Sequence, residues 1–224
     1  MDVVFDTISE MFEFMQEITY FAEDGAFKFE YTNNNSPLTI VTGDNASGKS
    51  FVRKIIQSMC AKRQPKLECI HLSQAGRCQG GIIRAFVYGS EDDESTGRNT
   101  IGTMLTSFKT SHSRDSDHLM IYDEPEIGLS EEYAGGLGIR IKEFIESNPT
   151  HLFGAVVITH SSHLLKELLP LNPNHINLSD NRTLDEIAYR KVVPNTNLEG
   201  LQERSLETYR KICDIQNEMK KEIN

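Results

Sequence analysis

No CxxC pair, no long apolar run and no excess of basic charge occur in this 224-residue chain, and each absence removes a class of function. The cysteines Cys60, Cys69, Cys78 and Cys213 are scattered singly, so neither a zinc site nor a redox dithiol is expected, and the thiols read as reduced and buried. A membrane-crossing helix needs about 18 consecutive apolar residues, and no run approaches that. Against 33 Asp plus Glu stand 23 Lys plus Arg, a net charge of −10, which repels a phosphate backbone over the surface at large and leaves only a local basic patch as a route to nucleic acid. The opening MDVVFDTISEMFEF carries acids where a secretory leader carries bases, and a cytoplasmic setting is expected. No internal repeat, low-complexity segment, nuclease signature or helix-turn-helix is recognisable.

What the chain does have is enough apolar residue, 38% against 25% charged, for one globular domain with a full core. It also has the stretch VTGDNASGKS at 41–50, in which Gly43, Gly48, Lys49 and Ser50 complete the pattern GxxxxGKS. Average composition produces that pattern by chance on the order of once in a hundred chains of this length. The flanks fit a phosphate-binding loop: LTIVT (38–42) reads as a buried strand, and KSFVRKIIQSMCAK (49–62) places Phe51, Val52, Ile55, Ile56, Met59 and Cys60 on one helical stripe.

Along the rest of the chain, Thr7 followed by Glu10 has capping-box spacing and predicts a helix over 6–19. Strands are expected at FKFEY (27–31), LECIHL (67–72), GIIRAFVY (81–88), HLMIY (118–122) and AVVIT (155–159), with weaker ones at HINL (175–178) and EIAYRKVV (186–193). Helices are expected over 100–110, 130–147 and in SSHLLKELLP (161–170). Gly135, Gly136 and Gly138 each cost the second of these up to about 1 kcal/mol relative to Ala, which points to close packing against a neighbour. Residues 1–195 read as the main domain, and 196–224 as an amphipathic helix. The alternation of strand and helix predicts an α/β fold with a mostly parallel central sheet flanked by helices.

Three strand ends carry the chemistry. In the loop, Gly43, Asp44, Asn45, Ala46, Ser47, Gly48, Lys49 and Ser50, with Phe51 after them, are the candidate nucleotide contacts. Backbone N–H groups and a helix N-terminus worth roughly half a positive charge would face a β-phosphate, Lys49 the β and γ oxygens, and Ser50 a magnesium ion. In HLMIYDEPE, Asp123 ends an apolar strand where it can hold magnesium, and Glu124 is placed to act as base toward water. In AVVITHSSH a third strand ends at His160, positioned to contact a γ-phosphate.

With these motifs the sequence resembles the ATP-binding-cassette type ATPases, specifically the soluble branch of SMC and RecF heads and the related AAA-type ATPases of bacterial and phage defence genes. The matches span about residues 27–180: the Walker A loop Gly43–Ser50, the Walker B pair Asp123 and Glu124 followed by Pro125, the switch histidine His160, and a Q-loop glutamine at Gln74. The resemblance implies a P-loop NTPase fold, ATP and Mg2+ as cofactors, Gln74 in catalysis and metal binding, and a homodimer closed around ATP that acts as a switch for a protein partner. It also implies a signature element completing the site in trans. LSGGQ is absent, and Ser95 and Gly97 in ESTGRNT are the nearest equivalent. The short interval between Gln74 and Ser95 leaves no room for a transporter's helical subdomain or a long coiled coil. Two rivals remain open. One is a regulatory subunit of a nuclease, toxin or defence complex that holds ATP and scarcely hydrolyses it; the other is a P-loop kinase, which leaves Glu124 and His160 unexplained together. Tyr20, Phe21 and Phe27 serve equally as adenine-stacking or core residues.

Overall fold

The computed structural model describes residues 4–18, 20, 21, 25, 27, 29–73, 96–179, 182–191 and 194–223. The expected strand at 81–88, Cys78, Gln74 and Ser95 therefore lie outside the described residues. Among those described, six strands form one sheet: β1 (Glu30–Thr32), β2 (Leu38–Thr42), β3 (Glu68–Ser73), β4 (His118–Asp123), β5 (Leu152–Ile158) and β6 (Asn174–Asn177). Their spatial order is β1-β6-β2-β5-β4-β3. All neighbours are parallel except β1, which runs antiparallel to β6. The helices are α1 (Ile8–Glu17), α2 (Lys49–Lys62), α3 (Thr96–His112), α4 (Glu131–Glu146), α5 (Ser162–Leu168), α6 (Leu184–Tyr189) and α7 (Leu198–Ile223). The result is the expected α/β architecture, a mostly parallel sheet flanked by helices.

Period-two alternation in the central strands sorts the core into two layers. Val41, Leu119, Ile121, Val156 and Ile158 face α1 and α2, and Ile215 of α7 joins them. Ile40, Met120, Tyr122, Ala155 and Val157 face α3, α4, α5 and α6. Both faces are covered, so β2, β4 and β5 read as continuous apolar runs. No helix among the described residues is long and apolar enough to cross a membrane.

Local chemistry sets most element ends. The Thr7 side chain accepts the Glu10 N–H at 3.1 Å, while the Glu10 carboxylate reaches back to the Asp6 N–H at 2.7 Å. The cap therefore starts α1 at Ile8, inside the expected 6–19. In the segment FKFEY, Glu30 and Tyr31 pair as strand, while Phe27 and Phe29 turn into the core. The first half of EIAYRKVV, expected to be a strand, belongs to the helix Leu184–Tyr189, and Val192 and Val193 lie outside the described residues. There Thr183 and Glu186 form a capping box, and Leu184, Ile187 and Ala188 bury at helical spacing against the face that α5 occupies. α3 starts at Thr96 rather than Thr100, which places Gly97 within its first turn instead of in a preceding loop.

Of the three glycines in α4, only Gly138 is needed for close approach. A Cβ there would lie 2.8 Å from the Leu164 carbonyl oxygen and 2.9 Å from Glu167 Cβ, whereas Gly136 meets nothing within 4 Å. Gly138→Ala is expected to destabilise the fold by about 1–3 kcal/mol through overpacking of α4 on α5. Gly136→Ala should stabilise it by about 0.5–1 kcal/mol through helix propensity. Chemical denaturation of the two variants reads the opposite signs.

Candidate functional site

The register brings three motifs to one edge. Asp123, Ile158 and Val41 lie abreast across β4, β5 and β2, and Ser73 and Ile176 extend the row through β3 and β6. Residues just past this row therefore cluster at the C-terminal ends of the strands, where open α/β sheets bind ligands. They are Gly43 onward, Glu124, and Thr159 with His160.

The loop after β2 is shaped as a cradle. Gly48 has φ 98° and caps α2 with no side-chain bond, and a Cβ on it would lie 2.9 Å from the Phe27 ring. Ala46 also takes a left-handed φ of 66°. The Asp44 N–H donates to Ser179 Oγ, and Thr208 of α7 donates to the Ala46 carbonyl at 2.6 Å, so the loop is held from both sides. Asn45 is exposed, and Ser47 has a buried hydroxyl oxygen with no partner among the described residues. At the first turn of α2 the Lys49 and Ser50 N–H groups have no backbone acceptor among the described residues, as helix geometry requires.

Lys49 is 8% exposed. Its ammonium donates to the carbonyls of Gly43 (3.1 Å) and Asp44 (2.8 Å). Burial pulls its pKa down to about 8, against the opposing pull of Glu124, Asp44 and Asp123. Phe51, a candidate nucleotide contact in the sequence, belongs elsewhere. Its ring packs with Phe21 and Phe27 in the core, and its N–H is spent on the Gly48 carbonyl at 2.8 Å. Phe21 and Phe27 are likewise buried, so their rings build the floor under the loop.

Asp123 ends β4 and Glu124 turns the chain with φ 49°, anchored by its N–H to the Ile158 carbonyl at 2.8 Å. Burial raises the Glu124 pKa, as does Asp123, while Lys49 opposes the rise. His160 Nε2 stands 3.6 Å from Glu124 Oε1. Burial, with the charges of Lys49 and Arg190, lowers the His160 pKa to about 4, so the imidazole is neutral near pH 7 and the contact is polar rather than an ion pair. Lys49, Asp123, Glu124 and His160 thus converge as the motifs imply. Gly97 instead packs against Gly128 and Leu129.

Three participants were missed at the level of sequence. Glu126, the last letter of DEPE, accepts from Thr159 Oγ1 at 2.7 Å and from the His160 N–H at 3.1 Å, so it clamps the end of β5 to the loop after β4. Arg53 and His71 both approach Asp123 Oδ2, at 3.2 Å and 3.6 Å. The acidic loop signalled Glu126, but nothing in the linear order signalled the other two.

The cradle fits an anionic phosphate: a helix N-terminus without a side-chain cap and a buried ammonium adjoin a loop in which Gly43 and Gly48 have no room for a Cβ. Magnesium, a hard cation, fits the oxygens of Ser50 and Asp123. No group of three or more His, Cys, Asp or Glu among the described residues could hold a metal unaided, so phosphate and water oxygens would complete its shell, as magnesium prefers.

No protein-family model and no curated protein matches the chain. Among solved structures, that of Cdc6p from Pyrobaculum aerophilum is similar over 65% of this chain and 40% of that one, with 12% identity and a TM-score of 0.37.

A pH dependence follows from Lys49. Bound phosphate favours the charged amine, so the pKa of Lys49 is higher with ligand than without. Nucleotide affinity is expected to be flat up to about pH 8 and to fall by as much as about tenfold per unit above it. Neutral His160 adds no step near pH 6.5. Calorimetric titration across pH 6–9 measures this.

Proposed function

We propose that the protein binds ATP with magnesium on the Gly43–Ser50 loop, hydrolyses it, and acts as an ATP-binding-cassette type switch that dimerises around the nucleotide. The observation that carries this reading is the convergence of Lys49, Glu124 and neutral His160 on one edge, with Glu124 and His160 3.6 Å apart. The loop N–H groups and Lys49 hold the phosphates, and Ser50 and Asp123 would hold the metal. Magnesium, when bound, neutralises phosphate charge and polarises the γ oxygens.

Glu124 takes the base role. Its raised pKa moves the carboxylate toward the operating pH, which favours general-base catalysis. Neutral His160 can accept or donate one hydrogen bond at the γ position and holds no charge that would trap the product. Glu126, through the Thr159 hydroxyl and the His160 N–H, keeps that imidazole beside Glu124.

The dimer and the partner rest on the resemblance, with one surface in support. Gly97, Arg98, Ile101, Gly128, Ser130 and Tyr133 line a cavity of about 870 Å³, and Tyr133 is largely exposed. Gly97 would serve a second copy's nucleotide from this side. A regulatory ATP-holding subunit with little turnover is the second reading, favoured by the engagement of Asp123 with Arg53.

Lys49→Ala is expected to abolish ATP binding in calorimetry; unchanged affinity would remove the cradle assignment. Glu124→Gln should keep binding, lower phosphate release by about two orders of magnitude or more, and accumulate as a dimer in sedimentation with saturating Mg-ATP. Parental turnover in Glu124→Gln would transfer support to the regulatory reading.

A further inference from the structure

Arg53 sits one helical turn beyond Lys49, so both side chains leave the same face of α2 toward the strand ends. Its Nε stands 3.2 Å from Asp123 Oδ2, and its Nη1 lies 3.3 and 3.4 Å from the two ring nitrogens of His71. His71 is two residues before Ser73, the partner of Asp123 across β3 and β4, so it and Asp123 share the sheet face that α2 covers. The Arg53 and Asp123 side chains are 19% and 17% exposed. A guanidinium cannot deprotonate at any physiological pH. The carboxylate that would hold magnesium therefore already has a permanent monovalent counter-ion.

The geometry of that counter-ion matters. Arg53 offers Nε alone to a single carboxylate oxygen rather than its two-pronged end, and this buried N–H makes no hydrogen bond of normal geometry among the described residues. The pair is held by charge and not by a directed bidentate lock. A divalent ion arriving at the same carboxylate meets Coulomb repulsion from Arg53 in a partly desolvated site, where screening is weak. Conversely, the positive charge beside Asp123 removes the repulsion that this carboxylate would otherwise exert on a triphosphate arriving without its metal.

We propose that Arg53 is a resident competitor of magnesium for Asp123: it lets the loop capture a metal-free nucleoside triphosphate and sets a high threshold for metal entry. The inference rests on the loop being an ATP site. It divides loading from completion of the site, so that the nucleotide is held first and magnesium enters only as Arg53 moves off the carboxylate.

The test measures ATP affinity by calorimetry in EDTA and in excess magnesium, and Mn2+ binding to the ATP-saturated protein by electron paramagnetic resonance. The parent should bind ATP in EDTA within about threefold of its affinity with magnesium. Arg53→Gln should lose at least about tenfold in EDTA and bind Mn2+ at least about tenfold more tightly, while Arg53→Lys, which keeps the charge, stays nearer the parent. A parent whose ATP binding collapses in EDTA overturns the inference without any variant. So does a parent that binds in EDTA while Arg53→Gln shows an unchanged Mn2+ midpoint. Absence of ATP binding by the parent in both conditions overturns the ATP reading and this inference together, whereas the two preceding outcomes leave the ATP reading standing.

Discussion

β5 pairs in parallel with β2 on one side and β4 on the other, and the geometry of the whole site depends on that double pairing. A strand in this position must be buried on both faces and offer every backbone group to a neighbour, which Leu152–Ile158 does with almost no polar side chain. Its register sets Ile158 level with Val41 and with Asp123. The next residues of all three strands then have nowhere to go except into one shared crevice. Glu124 is tied into it directly, by its N–H on the Ile158 carbonyl, and Thr159 by its N–H on the Val41 carbonyl at 3.3 Å. Shifting β5 by a single residue would turn its alternating side chains over and carry His160 away from Glu124.

Charge in this crevice is balanced locally, against the trend of the chain. The protein is strongly acidic overall, yet Lys49 sits buried among Asp44, Asp123 and Glu124 with its ammonium on two carbonyls. Burial lowers the pKa of Lys49 and of His160 and raises that of Glu124. All three shifts have the same first cause, the cost of charge in a poorly solvated space. Lys49 and Glu124 are thereby moved nearer to neutral pH, whereas His160 is moved below it and stays uncharged there. Arg53 and His71 stand beside Asp123 at the same edge, at 3.2 Å and 3.6 Å from its Oδ2.

The clamp from Glu126 and the strap from α7 show how the remaining parts serve the same edge. One carboxylate oxygen of Glu126 joins Thr159 and His160 to the Walker B loop, while its other oxygen is buried without a partner among the described residues. A group buried at that cost is retained for position rather than for stability. α7 buries Ile215 in the layer that holds α1 and α2, and places the Thr208 hydroxyl on the Ala46 carbonyl. The C-terminal helix and the phosphate loop thus share one packed unit.

Much of this is local enough to be legible in linear order. GxxxxGKS, DEPE and the apolar strand ending at His160 are contiguous, and a strand, a turn and a helix start depend mainly on neighbours a few residues away. The bounds of β2 and α2 follow from that alone, as does the cap of α1 to within two residues. Phe51 could not be assigned that way, because helical spacing says which residues share a stripe and not whether the stripe faces a ligand or Phe27. The first half of EIAYRKVV was misread because the capping box at Thr183 and burial of Leu184, Ile187 and Ala188 against a neighbouring helix set it as helix. Arg53 and His71 meet Asp123 from 70 and 52 positions away. Such a meeting is set by strand order and register, which arise from burial across the whole sheet. The sequence by itself determined which chemical groups stand at the strand ends. Only the tertiary structure decided which of them touch, because the two sides of each contact are brought together by packing that no local segment encodes.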